Sequence, residues 1–223
     1  MSDHEIIELS QPQLKGQKSV EEALNERRTI RYFSDQEIQI SQVSQLLWAL
    51  QGIIEAEELP SGETLYHRTA PSAGRRYPLE VYVVLLQGIY HYEPIKHELH
   101  KIINEEIKGD PRINLSEAPY APFNKEAIQT APLSIIVACD NQKSLKGNPL
   151  MEKALITVHL EAGHATQNLI LQAASFGMGA CTMTSYDLGT IYKVLKLPMH
   201  QKPIYLIPIG YPTEDSSPRH AVY

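Results

Sequence analysis

Pro71-Ser72-Ala73-Gly74-Arg75-Arg76-Tyr77-Pro78-Leu79-Glu80 closes a polar stretch and runs straight into a β-branched segment, Glu80 to Leu86. Pro, Ser and Gly shape a loop, and the apolar run after it reads as a buried strand. Gln87-Gly88 is a turn and Ile89-Tyr90-His91-Tyr92 a returning strand, so the stretch predicts a shaped loop feeding a hairpin. Upstream, Ser19-Val20-Glu21-Glu22 is a capping box whose helix runs to about Arg27. Ser41 caps a second helix, with Val43, Leu46, Leu47 and Leu50 on one face and Gly52 at its end. Residues 55 to 64, acidic and carrying Pro60 and Gly62, read as loop.

Downstream, residues 109 to 132 hold Pro111, Pro119, Pro122 and Pro132 with Tyr120 and Phe123 between them. They read as a long loop of the lid type. Leu133 to Cys139 is a continuous apolar strand. Met151 to Phe176 is the longest helix, dense in alanine and stopped by Gly177. Its small residues suit packing either against a symmetry mate or within one subunit, and the sequence leaves both open. Gly179 to Ser185 reads as a short strand, Asp187 caps a short helix, and Ile204 to Ile209 is a last buried strand before Gly210-Tyr211-Pro212. The order predicts an α+β fold. Residues 1–18 form a polar arm or added strand, and 19–223 a single domain.

With 43% hydrophobic and 21% charged residues, the 223-residue chain has the composition of a soluble globular protein. A formal charge of -6 argues against a nucleic-acid surface. No apolar run approaches the roughly 18 residues of a membrane span, and the polar N-terminus is unlike a signal peptide, so the expected location is cytoplasmic. Cys139 and Cys181, each in an apolar run, read as buried free thiols. His159 and His164 stand five apart, on different faces of their helix, so no metal site is expected. Glu161 and His164 are instead expected to make hydrogen bonds at a buried interface. Gly177-Met178-Gly179 lacks the third glycine of a dinucleotide fingerprint and follows a helix.

Five arginines fall in two short stretches of this acidic chain: Arg27, Arg28 and Arg31 within Arg27-Arg28-Thr29-Ile30-Arg31-Tyr32-Phe33, and Arg75 and Arg76 in the loop. Guanidinium groups beside a hydroxyl present planar donor forks to phosphate oxygens. The two stretches point to a phosphorylated cofactor held between two parts of one fold.

On these residues the chain resembles the nitroreductase family of flavin mononucleotide (FMN) enzymes, and more closely its SagB-type subgroup. Four elements carry the resemblance in family order: Arg27 to Arg31, Pro71 to Gly74 with Tyr77-Pro78-Leu79-Glu80, Glu161-Ala162-Gly163-His164 with Gln167-Asn168-Leu169, and Pro208 to Pro212. It implies a mostly antiparallel central sheet wrapped by helices, in an intertwined homodimer with flavin at the interface. By motif position, Arg27 and Thr29 would hold the FMN phosphate, with Arg28 close by and Arg219 in the tail as a further ligand. Arg31 would lie near the pyrimidine edge of the ring, where a cation stabilises the reduced flavin. Pro71, Ser72, Ala73 and Gly74 would run along the ring edge. Arg75, where the family often has Asn, would bond the ring or point toward substrate. Thr184 and Ser185 would lie near flavin N5, in place of the Glu-Gly of some relatives.

The implied activity is reduction of a small electrophile, nitroaromatic or quinone, with NADH or NADPH as reductant. SagB-type azoline oxidases carry a Lys-Tyr pair before the long helix. This chain has Lys146-Gly147-Asn148-Pro149-Leu150-Met151 there, which argues against azoline oxidation. A tailoring oxidase of a peptide or biosynthetic intermediate and a low-turnover flavin-binding protein stand as alternatives.

Overall fold

The computed structural model describes residues 5–146, 151–214 and 216. Strands β1 (Ile6–Glu8), β4 (Leu79–Leu85), β5 (Gly88–Glu93), β6 (Glu98–Ile102), β7 (Leu133–Asp140), β8 (Gly179–Ala180) and β9 (Gln201–Gly210) form one sheet in the order β1-β6-β5-β4-β7-β9-β8. Every neighbouring pair of strands is antiparallel. Helices are α1 (Val20–Glu26), α2 (Ile40–Gln51), α3 (Pro111–Leu115), α4 (Pro122–Thr130), α5 (Asn141–Leu145), α6 (Met151–Ser175) and α7 (Leu188–Leu195). A separate hairpin pairs β2 (Ile53–Glu58) with β3 (Thr64–Arg68).

The sheet has a core on each face, which is why its central strands read as continuous apolar runs. All eight residues of β7 are buried. Val81, Val83, Ile135, Val137, Ile207 and Ile209 face α2 and α6. Tyr82, Val84, Ile136, Ala138 and Leu206 face α3, α4 and α7. The alternation follows from the two-residue period of a strand. On α6, Ala162, Ala165, Leu169 and Ala173 are fully buried in the same chain's core. The small-residue face therefore packs within one subunit, and α6 leaves Leu155, Ile156 and Leu160 exposed.

The capping box at Ser19, the stop at Gly177 and the cap at Asp187 form as the sequence predicts. Other elements differ. Gln39, not Ser41, is the N-cap of α2, with Gln42 closing a capping box. Residues 55 to 64 belong largely to the β2–β3 hairpin, whose strands, β2 mostly exposed and β3 half-buried, lack an apolar alternation to announce them. The 109 to 132 segment is not an open loop. Pro111 and Pro122 occupy the first turns of α3 and α4, where a missing N–H costs nothing. Strand β8 stops at Ala180, and Met183 adds an isolated bridge to Leu206. The N-terminal arm contributes a strand, β1, at the sheet edge.

One corner of the sheet places the arginines. Gly179 on β8 pairs with Gly210 on β9. A Cβ on Gly179 would lie 2.2 Å from Ile30 Cγ1, and one on Gly210 would lie 2.9 Å from Phe33 Cδ1. These two glycines let the Thr29–Phe33 segment lie against the sheet edge. There Thr29 bridges Ala180, Ile30 N–H donates to Ala180 O (3.1 Å), and Phe33 bridges Pro212.

Candidate functional site

At that corner Arg27, Arg28 and Thr29 face Ile170 and Ala174 of α6 together with Met178, Ala180 and Thr182, enclosing a small cleft. Arg27 ends α1 as its C-cap and is half-buried. Among the described residues neither Arg27 nor Arg31 takes part in an ion pair. Arg28 is committed elsewhere: its Nη1 donates to Asn25 O (2.6 Å) and Arg27 O (2.8 Å), at the carbonyl end of α1. Cationic donors suit that end of a helix.

Arg31 lies further along, over the Phe123 ring at 5.5 Å, and its buried Nε has no partner. Burial raises the Cys181 thiol above its ordinary range, and Arg31 beside it offsets part of that rise. Thr184 and Ser185 are exposed beyond Met183 on the same stretch that brings Thr182 to the cleft. Thr182 was missed by sequence reasoning. Its signal was the alternation of buried Cys181 and Met183 with exposed Thr182 and Thr184. Phe123 was hidden inside what read as a loop. Arg219 lies outside the described residues.

The Pro71–Arg75 loop is a separate construction. Ala73–Arg75 forms one 3₁₀ turn, in which Gly74 (φ 66°) and Arg75 (φ 55°) are left-handed. Pro71, Ala73, Gly74 and Arg75 are exposed, while the Ser72 hydroxyl points inward. It donates to Glu161 Oε2 (2.6 Å) and accepts the Tyr77 N–H (2.9 Å). Arg76 is structural: its Nε donates to Lys146 O (2.9 Å) and its Nη1 to Ala73 O (3.3 Å). Behind the loop, the Arg68 guanidinium stacks 4.7 Å from the Tyr77 ring and donates to Gln51 Oε1 (2.8 Å). Burial pushes the Glu161 carboxyl up to about 7, against the opposing pull of the Ser72 hydrogen bond and Arg68. Glu161 thus makes its expected buried hydrogen bond, whereas His164 is exposed. Among the described residues no cluster suited to a metal occurs.

The loop meets α6 at Glu161 and the arginine cleft meets it at Ile170 and Ala174. Glu161 and Ile170 are about two and a half helical turns apart, so they occupy opposite flanks of α6, about 14 Å apart along its axis. Within one chain the two predicted halves of the site are therefore separated by a helix.

The family model described as "Nitroreductase family" matches residues 24–211, which include the arginine segment, the loop and the whole of α6. The chain belongs to the nitroreductase family. Within that family it is 27% identical to the provisionally named nitroreductase MJ1384 of Methanocaldococcus jannaschii, over 92% of this chain and 97% of that one. It is 31% identical over 80 residues to the trifolitoxin-processing protein TfxF of Rhizobium leguminosarum, covering 36% of this chain and 30% of that one. A solved nitroreductase-type structure from Ralstonia eutropha shares the fold, with a TM-score of 0.75 at 24% identity, covering 96% of this chain and 92% of that one. The nitroreductase-like fold and membership of an oxidoreductase family stand on these matches and on the antiparallel sheet. Among the described residues no helix is long and apolar enough to cross a membrane.

Proposed function

We propose that this nitroreductase-family chain is an FMN-dependent oxidoreductase that uses NADH or NADPH to reduce a small electrophile of the nitroaromatic or quinone type. The observation that carries this reading is that, among the described residues, neither Arg27 at the cleft nor Arg31 further along the same segment has a carboxylate partner. A cation left unpaired beside a cleft suits an anionic ligand, and the orphaned Arg31 Nε is a buried donor that such a ligand would satisfy. Arg27 and Thr29 are assigned to the phosphate, with Arg28 at its margin, held back by the α1 carbonyls. Arg31 is assigned to the pyrimidine edge, and Thr184 and Ser185 to the reacting edge. When bound, FMN supplies hydride transfer at N5. Arg31, which lies against the Phe123 ring, would hold positive charge where negative charge accumulates on reduction.

The two flanks of α6 bear on assembly. The exposed Leu155, Ile156 and Leu160 face is an apolar strip that a second copy would cover. In a homodimer the exposed Pro71, Ala73, Gly74 and Arg75 of one subunit would complete the arginine cleft of the other, an arrangement in keeping with their separation within one chain.

Anaerobic mixing of the FMN-loaded protein with NADH or NADPH tests the activity: the flavin absorbance should bleach within seconds and recover on adding a quinone. A band that persists in both nicotinamides removes the reductase reading. The match to the trifolitoxin-processing protein favours a second reading, a tailoring oxidase of a peptide, which predicts oxygen consumption without nicotinamide. In the same material Arg31→Ala should bind FMN nearly as well as the parent and hold it at a lower reduction potential. An unchanged potential would remove the electrostatic role of Arg31.

A further inference from the structure

Glu161 is a buried titratable group that the proposed chemistry does not use. Its side chain belongs to α6 and is only 3% exposed. Oε2 meets the Ser72 hydroxyl at 2.6 Å, while the buried Oε1 has no partner among the described residues. Ser72 from the loop and Arg68 from β3 act on it directly; Arg68 in turn faces Tyr77 and Glu80, and Cys139 of β7 feels the Glu161 charge. Arg68 forms no hydrogen bond with the carboxyl. Its Nη1 is spent on Gln51 and its buried Nε is unpartnered. The Cys139 thiol is pushed up to about 11 by burial, so it stays neutral through the range that matters. Glu80 is held ionised by His91 and Lys143, although its own burial opposes this.

We propose that Glu161 is a proton-carrying positioning residue that decides whether the Ser72 hydroxyl keeps its hydrogen inside the fold or offers it outward along the Pro71–Arg75 loop. The inference rests on the assignment of that loop to the flavin. The hydrogen-bond count of one hydroxyl carries it. Ser72 Oγ accepts the Tyr77 N–H at 2.9 Å in either state. With Glu161 ionised, the Ser72 O–H must donate to the carboxylate, so the loop can offer only a lone pair to a ligand. With Glu161 protonated, the proton sits on Oε2, because Oε1 would leave it a buried donor without an acceptor. Glu161 then donates to Ser72 Oγ, which already accepts from Tyr77. The Ser72 O–H is released to point outward from its half-buried position. One proton, taken from or returned to solvent, thus changes the loop from acceptor to donor. Burial places this change close to neutrality rather than in the ordinary carboxylate range.

The folded chain holds the proton above the pH at which the unfolded chain releases it. Stability therefore falls as pH rises from the ordinary Glu value of 4.5 through about 7, and then levels off.

The test uses the apoprotein first. Infrared difference spectra across this pH range should show one protonated carboxyl band that titrates near neutrality. The band should vanish in Glu161→Gln, and should shift in frequency in Ser72→Ala. FMN affinity, followed by fluorescence quenching, should then vary with pH roughly two- to tenfold more in the parent protein than in either variant, the second ionisation of the FMN phosphate being common to all three. If no carboxyl titrates near neutrality, or if Glu161→Gln keeps the parental pH profile, the proposal is overturned. Should FMN fail to bind at all, the flavin assignment falls, while the apoprotein titration and its dependence on Ser72 still decide the switch.

Discussion

Gly179→Ala should both destabilise the protein and weaken the proposed binding of FMN. The added Cβ would lie 2.2 Å from Ile30 Cγ1 and 2.4 Å from Ile30 Cβ. The second of these atoms sits at the root of the side chain and has no rotamer escape. Over-filling a tight contact of this kind costs about 1–3 kcal/mol, occasionally more. For a chain of this size that lowers Tm by about 2–4 °C per kcal/mol. The functional loss should exceed the stability loss. Ile30 lies between Thr29 and Arg31, and its N–H is bonded to Ala180 O, so pushing it off β8 moves the residues assigned to phosphate and ring together. We expect FMN affinity to fall at least about tenfold, equivalent to a little over 1 kcal/mol. Ile30→Ala in the same chain removes Cγ1 and leaves Cβ, so the double variant should recover part of the binding and show a coupling that two independent sites would lack. Parental Tm and FMN affinity in Gly179→Ala would show that the Thr29–Phe33 segment is not held by this contact.

Arg27→Ala should raise the FMN dissociation constant about thirtyfold or more. The interaction lost under the proposed assignment is a charged hydrogen bond to the FMN phosphate, worth about 2 kcal/mol. Arg27 makes no ion pair among the described residues, so its removal leaves no orphaned carboxylate and the loss reports on the ligand. Riboflavin separates phosphate from ring. The parent should prefer FMN to riboflavin strongly, and the variant should lose most of that preference while binding riboflavin almost unchanged. Arg28→Ala is the internal contrast. Its guanidinium already serves the Asn25 and Arg27 carbonyls, so its loss should cost less FMN affinity than that of Arg27. An unaltered FMN preference in Arg27→Ala would place the phosphate elsewhere.

The features legible from the chain were those written locally. The Ser19 capping box, the Asp187 cap and the 25-residue α6 each depend on residues within a few positions of one another. The continuous apolar character of β4 and β7 also announced strands buried on both faces. The β2–β3 hairpin and helices α3 and α4 were not legible. Strand β2 is mostly exposed and β3 half-buried, α3 is only five residues long, and Pro111 of α3 and Pro122 of α4 stand in first-turn positions that composition alone reads as breaks.

The sequence by itself determined the residue types of the site: a cluster of arginines, a Ser-Ala-Gly loop and a buried carboxylate on a long helix. Chemistry of that kind resides in side chains and needs no partner to be recognised. The tertiary structure alone decided how they divide. Among the described residues Arg27 and Arg31 have no ion-pair partner, while Arg28 is spent on its own helix end. The Ser72 hydroxyl turns inward to Glu161, and the loop and the arginine cleft fall on opposite flanks of α6. Those outcomes depend on which carbonyl, carboxylate or helix face comes within about 3 Å of a group, and such contacts join residues far apart in sequence that no local pattern specifies.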